Sequence, residues 1–316
     1  MASGPPLSVL VTGASGMIGH VVVDKLIKKG YNVRATDIQY NIITEDVFTD
    51  YDRNQFEFRM CDLRNFNSCK ELVKDVDVVY HVAGIKGNPQ TAKTKPSRYF
   101  VPLLQFNTNM MEAARLEGVD WYLYTSSVGV YRQDDVLEED SVWKTFPTEN
   151  DTYPAWAKRM GELQAHSYEV EFDWENYSIV RPANVYGPYD NFGERSMVIP
   201  SLIKKANEND VLNVWGDGSP IRDFIYSEDV ADGMIHMVEN KINSPVNLAS
   251  GNGVTIREIA EIVGKYFNKE IVWDKDKPMG DMKRILSTER AESFGFKAST
   301  SFEDGIIKTI EWYLEK

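Results

Sequence analysis

The chain has 316 residues, 42% of them hydrophobic, enough for one large domain with an appendage or for two modest domains around a cleft. Its formal charge of −13 excludes nucleic acid or an anionic membrane as a partner held by long-range attraction, so an anionic ligand has to be gripped by local donors. The cysteines Cys61 and Cys69 are spaced as neither a zinc pair nor a disulfide framework, and neither Met1–Pro6 nor the short apolar run Leu7–Thr12 reads as a leader or a membrane segment. The expectation is a reduced, cytoplasmic protein with no metal site.

From Leu7 onward, short β-branched runs alternate with stretches of helical period, the pattern of βαβ units and a parallel sheet. Strands are predicted at Ser8–Thr12, Asn32–Asp37, Phe56–Met60, Val76–Val82, Trp121–Ser126 and Tyr177–Arg181, with helices at Met17–Lys29, Ser68–Lys74, Pro102–Leu116 and Pro154–Val170. Such a set fits the doubly wound order. After Pro182 the loops lengthen and gain Gly, Pro, Asn and Asp, with helices predicted at Met197–Asn207, Glu228–Glu239, Thr255–Phe267 and Phe302–Leu314. The fold expected is α/β: a Rossmann-type doubly wound parallel sheet over residues 1–182 and a smaller C-terminal α/β substrate lobe over 183–316. No repeat or linker marks the boundary, so it is soft and the chain can cross between the lobes.

The Pro102–Leu116 helix carries more apolar surface than one face of a sheet can cover. Either Pro154–Val170 covers it, or both helices join a twofold mate; a homodimer is expected.

Val9-Leu10-Val11-Thr12 runs into Gly13-Ala14-Ser15-Gly16-Met17-Ile18-Gly19, and Val22, Val23, Leu26 and Ile27 continue at helical spacing. A strand, a glycine turn and a helix start form a pyrophosphate cradle. Gly13 and Gly16 let the backbone approach the phosphates, Gly19 lets the helix sit close to the sheet, and the free amides from Ser15 to Ile18 meet the charge. Asp37 ends the second strand, where an acidic side chain accepts from the adenosine ribose and repels the extra phosphate of NADP. NAD is therefore the cofactor expected, although a polar strand end facing water is the plain alternative and Arg34 complicates the preference.

The Gly-x-x-Gly-x-x-Gly spacing resembles the short-chain dehydrogenase/reductase superfamily. The resemblance continues in Cys61-Asp62-Leu63-Arg64, similar to the segment whose Asp contacts adenine, and in His81-Val82-Ala83-Gly84, similar to the segment beneath the phosphates and ribose. It implies that Asp62, Leu63 and Ala83 line the cofactor. His81 is read as a satisfied core histidine. Thr125-Ser126-Ser127-Val128-Gly129-Val130-Tyr131 is similar to the family segment whose hydroxyl holds the reacting oxygen, which falls on Ser127.

In that family a Tyr four residues before a Lys moves the proton. The stretch Ala157–Glu162 matches and makes Lys158 the ribose-binding lysine, yet Tyr153 stands five residues away and Pro154 occupies the expected place. If Pro154 is the first helical residue and the chain bulges there, Tyr153 still points at Ser127; otherwise another group carries the proton, or redox chemistry is impaired. Trp156 is read as packing.

Ile179–Pro188 resembles the nucleotide-sugar branch of the extended family, which implies that Asn184 meets the sugar or its diphosphate. Val198–Ile203 resembles a substrate-closing helix, and Trp215-Gly216-Asp217-Gly218 with Arg222-Asp223-Phe224 resembles the loop over the nucleotide. Arg222 and Arg284 become the diphosphate clamp, with inter-lobe ion pairs as the alternative. Gly187–Phe192 is similar to GDP-fucose synthases, but Gly129 and Met197 stand where those enzymes carry a Cys and a His, so double epimerisation is not expected. Nor does Val128-Gly129 supply the Asp-Glu pair of the 4,6-dehydratases. What remains is hydride chemistry at one sugar carbon: an NAD-dependent 4-epimerase working through a transient 4-keto sugar. The alternatives are an NAD(P)H-dependent 4-keto reductase or 4-dehydrogenase, or a catalytically weak nucleotide-sugar and NAD binder.

Overall fold

The six predicted strands all form, as β1 (Ser8–Thr12), β2 (Asn32–Asp37), β3 (Phe56–Met60), β4 (Val78–His81), β5 (Trp121–Thr125) and β6 (Tyr177–Pro182). The computed structural model describes residues 7–39, 51–85, 94–193, 196–276 and 282–316. Met1–Pro6, read above for a leader, lies outside them. β7 (Asn184–Tyr186), β8 (Val211–Trp215) and β9 (Ile221–Tyr226) follow, and then β10 (Pro245–Leu248) returns to pair in parallel with β6. The central sheet is thus seven-stranded and parallel, in the order β3-β2-β1-β4-β5-β6-β10. Doubly wound sheets place their ligand crevice where the order reverses, here between β1 and β4.

Helices cover both faces. On one lie α1 (Met17–Lys28) and, further along the chain, Ser227–Glu239, whose Val230, Met234 and Met237 join Val22 and Leu26 in one core. On the other lie α2 (Phe66–Val73), α3 (Ser97–Glu117) and α4 (Thr152–Phe172), packed around Leu10, Val79 and Tyr122. The apolar face of α3, with Leu103, Phe106, Met110 and Met111, is buried within the chain, the plainer of the two readings. Both long helices begin earlier than their prolines suggested. α3 starts at Ser97 with Pro102 inside it, and α4 starts at Thr152, two residues before Pro154. Pro154 falls in the first turn of α4, where amides have no intrahelical acceptor and a proline costs little, whereas Pro102, the sixth residue of α3, lies past that turn and removes one i→i−4 bond.

The remaining elements are α5 (Val198–Glu208), α6 (the Ser227–Glu239 helix), β11 (Gly253–Thr255), α7 (Ile256–Phe267), β12 (Glu270–Asp274), β13 (Lys283–Arg284), α8 (Glu289–Ser293) and α9 (Phe302–Leu314). β9 is flanked by β11 and β13 and also pairs with β7, while β8 pairs with β12. α5, α7 and α9 pack over these strands around Ile203, Val214, Ile259 and Ile306. The two halves interleave: α6 and β10, both beyond residue 182, belong to the central sheet layer. No described helix is long and apolar enough to cross a membrane.

A buried ion pair fixes α4 to the sheet. Arg181 on β6 donates from Nη2 and Nε to Glu162 on α4 at 2.7 and 3.0 Å, with side chains 1% and 2% exposed. Ser126 Oγ donates to Glu162 at 2.5 Å, and Arg181 Nη1 donates to the Tyr131 hydroxyl and the Glu139 carbonyl. Tyr131 in turn donates to Asn247 on β10. Removing one member strands a charge in the interior. Arg181→Met is expected to cost about 3–5 kcal/mol in denaturant unfolding, with Glu162→Met in the same chain recovering most of it; a single variant as stable as the parent would contradict this.

Candidate active site

The opening turn has the shape that the glycine spacing demanded. Gly13 sits at φ +68°, and a Cβ on it would lie 2.7 Å from Ala83 Cα. A Cβ on Gly19 would lie 2.1 Å from the Gly13 carbonyl oxygen, so only glycine lets α1 start this close to the turn. Gly16 is the N-cap of α1 and offers no capping side chain. The amides of Met17, Ile18 and Gly19 find no acceptor among the described residues, which leaves a row of N–H donors at a helix N-terminus. Ser15 N donates to Asp37 at 3.0 Å, tying the turn to the end of β2, and burial pushes the Asp37 carboxyl up against the pull of its amide donors.

Thr12 on β1 accepts from Ala83 N at 3.1 Å and pairs with His81 Nδ1 at 2.9 Å, while His81 Nε2 pairs with Asn107 Oδ1 at 2.9 Å. Burial, then Lys158, pushes His81 down to about 3. It is neutral and fully hydrogen-bonded, as read from the sequence. Leu63 is buried, its carbonyl accepting from Asn109, and Asp62 is exposed in an ion pair with Arg64 at 2.6 Å. An open amide row, a glycine-only approach and a carboxylate at the end of β2 fit a nicotinamide dinucleotide.

At the far end of the crevice, Lys158 Nζ on α4 donates to the Thr125 carbonyl at 2.7 Å, with its ammonium 5.3 Å from the Tyr124 ring centroid. Tyr124 donates to the Lys158 carbonyl at 3.1 Å, and its ring occupies the space of the Gly161 side chain: a Cβ there would meet Tyr124 Oη at 2.3 Å. Ser127 begins the turn after β5, and its Oγ accepts from Gly129 N at 3.1 Å. Ser127 and Lys158 thus flank the end of β5.

Tyr153 is placed elsewhere. α4 runs without a bulge through Pro154, since Ala155 N donates to the Asp151 carbonyl at 2.9 Å. Five residues turn a regular helix about 140° beyond a full turn, so Tyr153 and Lys158 do not share a face. Tyr153 is 45% exposed, its ring 6.2 Å from that of Phe100 on α3, and it makes no hydrogen bond to Ser127 or Lys158.

Across the crevice, Arg222 on β9 and Arg284 on β13 are register partners in a parallel pair, which puts both side chains on one face. Arg284 Nη2 donates to Asp151 Oδ2 at 2.5 Å and to Thr148 Oγ1 at 3.3 Å. Asn184 on β7 donates to the Asp223 carbonyl at 2.8 Å. The Asp223 side chain is buried and accepts from Ser250, Gly251 and Leu286, with burial pushing it up to about 6. Sequence reasoning gave no role to Glu162, Arg181, Asp223 or Asp151. Arg181 did carry a signal, as a charge set in the otherwise apolar run Ile179–Ala183.

Dinucleotide-binding enzymes of the extended short-chain dehydrogenase/reductase class divide their work in this way, with the cofactor on the sheet and the substrate on the later strands. This chain belongs to the NAD dependent epimerase/dehydratase family, whose model matches residues 9–249. A putative GDP-L-fucose synthase 2 of Arabidopsis thaliana is 30% identical, with 97% of this chain and 92% of the relative covered. The GDP-mannose 3,5-epimerase of the same plant is 28% identical, with 98% and 83% covered. The solved UDP-N-acetylglucosamine 4-epimerase from Methanobrevibacter ruminantium M1, in complex with UDP-N-acetylmuramic acid, superposes with a TM-score of 0.87 over 99% of each chain at 25% identity.

Burial pulls the Lys158 ammonium down to about 8, with Glu162 opposing. Between pH 8 and the ordinary lysine value near 10.5, the unfolded chain holds a proton that the folded chain has released, so stability from this group rises with pH. From pH 7.5 to 10 the ligand-free protein should gain about 2 kcal/mol relative to Lys158→Met in denaturant unfolding. An unchanged difference between the two across that range would contradict the burial argument.

Proposed function

We propose that the protein is an NAD-dependent 4-epimerase of a nucleotide sugar, working through a transient 4-keto sugar. The observation that carries this reading is the side-by-side pairing of Arg222 with Arg284 in a chain of formal charge −13. Side chains from register-matched positions project from the same face of adjoining strands, and a diphosphate fits a pair of planar forks. Arg284 also reaches Asp151, the N-cap of the helix of Lys158, so a diphosphate held there would leave its sugar near Ser127.

In this reading Gly13, Ser15, Gly16, Met17, Ile18 and Gly19 cradle the pyrophosphate, Asp37 takes the adenosine ribose, and Asp62, Leu63 and Ala83 line the adenine and phosphate side. NAD, when bound, would supply the hydride acceptor and donor for the sugar carbon. Ser127 holds the oxygen on the reacting carbon, Lys158 grips the nicotinamide ribose, and Asn184 stands with the two arginines on the substrate side. The Asp37 carboxylate favours NAD over NADP, because a 2′-phosphate would meet a negative charge. Tightly kept NAD suits an epimerase, which consumes no cofactor. Gly129, with no acid or base to offer, supports single-carbon chemistry over double epimerisation.

A 4-keto reductase is the second reading, supported by the Gly187–Phe192 stretch and the likeness to a fucose synthase. The two separate in one experiment: incubation with UDP-, GDP-, dTDP- and CDP-sugars, with and without added NAD(P)H, read by mass spectrometry and NMR. The proposal expects an isomer of unchanged mass with no net cofactor use; stoichiometric cofactor consumption would replace it with the reductase.

The same reading includes a homodimer. Val101 and Leu116 on α3 and Leu163, Val170 and Phe172 on α4 are exposed apolar side chains on the two helices named for the twofold contact. Light scattering should give twice the chain mass, and Leu163→Glu should shift it toward the single chain; a monomeric parent protein would exclude the dimer.

A further inference from the structure

We infer that Asp151 carries the proton in this site, and that it is released to the sugar when a diphosphate takes Arg284; the inference rests on the function proposed above. Asp151 is the N-cap of α4, a position at which an Asp side chain ordinarily accepts from the second or third helical amide. Here it makes no such bond and turns instead to Arg284. Its carboxylate overlooks the Ser127 turn. The point that a Gly129 Cβ would occupy is 3.7 Å from Asp151 Cγ and 3.5 Å from Ser127 Oγ, and Gly129 leaves that space open.

Lys158, at the end of β5, is engaged with the Thr125 carbonyl, and the function proposed above gives it to the nicotinamide ribose. Tyr131 is buried, donating to Asn247 and accepting from Arg181. Tyr124 donates to the Lys158 carbonyl behind α4. Glu162 is buried between Arg181 and Ser126, and Tyr153 packs its ring against Phe100, off the helix face of Lys158. Asp151 is left as the carboxylate at the turn, held back by an ion pair with a cation that the diphosphate also needs.

The chemistry balances with NAD as the oxidant. The Asp151 carboxylate accepts the hydroxyl proton of the sugar carbon, the O–H pair closes the C=O bond, and the C–H pair leaves as hydride to the nicotinamide ring. The reverse transfers, with the hydride delivered to the other face of the ketone, restore the carboxylate. Binding and chemistry are coupled because a carboxylate paired with the Arg284 guanidinium is a weaker proton acceptor than one released from it.

The test combines turnover with nucleotide binding in the absence of sugar and cofactor. In Asp151→Asn, kcat should fall by about 100-fold or more while KM stays within about threefold. GDP or UDP, titrated by calorimetry, should bind about threefold tighter, because the competing ion pair is gone. Asp151→Ser, which keeps an N-cap residue and removes the carboxylate, should behave alike if the Asn variant folds poorly. Full turnover in Asp151→Asn, or a comparable loss in Tyr153→Phe alone, would overturn the assignment. A parent protein that converts no nucleotide sugar would sink the function proposed above. Even then the titration decides for Asp151: unchanged nucleotide affinity overturns the coupling, and tighter binding in the variant sustains it.

Discussion

The active end of this molecule depends on one buried ion pair. Glu162 and Arg181 lie within the protein at the junction of α4, β5 and β6, where Ser126, the Tyr131 hydroxyl and the Glu139 carbonyl serve them. Because a charge without a partner there would cost several kcal/mol, α4 is held in one rotational setting against the sheet. Lys158 is one helical turn before Glu162 and inherits that setting, which directs its ammonium to the Thr125 carbonyl. Ser126 donates inward to Glu162 while Ser127, the next residue, starts the turn at the crevice. Through Tyr131 and Asn247 the same network reaches β10, so the strand that returns from the second half of the chain is fastened to the element that carries the chemistry.

On the opposite side, the strands hold charge differently. β9 and β13 carry two arginines at matched positions in an acidic protein, and one of them is tied to the N-cap residue of α4. The inner pair is structural because its partners are saturated and dry. The outer one is only partly buried, with side chains 14% and 25% exposed, which is why it is the pair proposed to exchange Asp151 for a ligand. Desolvation separates an ion pair that locks the fold from one that can open.

Much of the first half was legible in the sequence because its signals are local. β-Branched runs, helical spacing and the Gly13–Gly19 turn are each set by neighbours within a few residues, and all six predicted strands form. β10 was missed because Pro245–Leu248 is four residues long and becomes a strand only by lying beside β6. The helix starts were misplaced because Pro102 and Pro154 were taken as first residues, while both helices begin upstream. At the site, Ser127 and Lys158 follow from a strand end and a helix motif. The Asp151–Arg284 contact joins residues far apart in sequence and has no local signature. The position of Tyr153 followed from helix phase, which turned on where α4 begins.

The central claim is that a nucleotide sugar lies across Arg222 and Arg284 with its sugar over the Ser127 turn, opposite a dinucleotide on the Gly13–Gly19 cradle. A crystal structure of the protein with NAD and a GDP- or UDP-sugar tests it most directly. The account predicts the diphosphate on both guanidinium groups, the Asp151–Arg284 contact broken and the Asp151 carboxylate facing the sugar. A nucleotide bound elsewhere, with that contact intact and the amides of Met17 to Gly19 facing no phosphate, would contradict it.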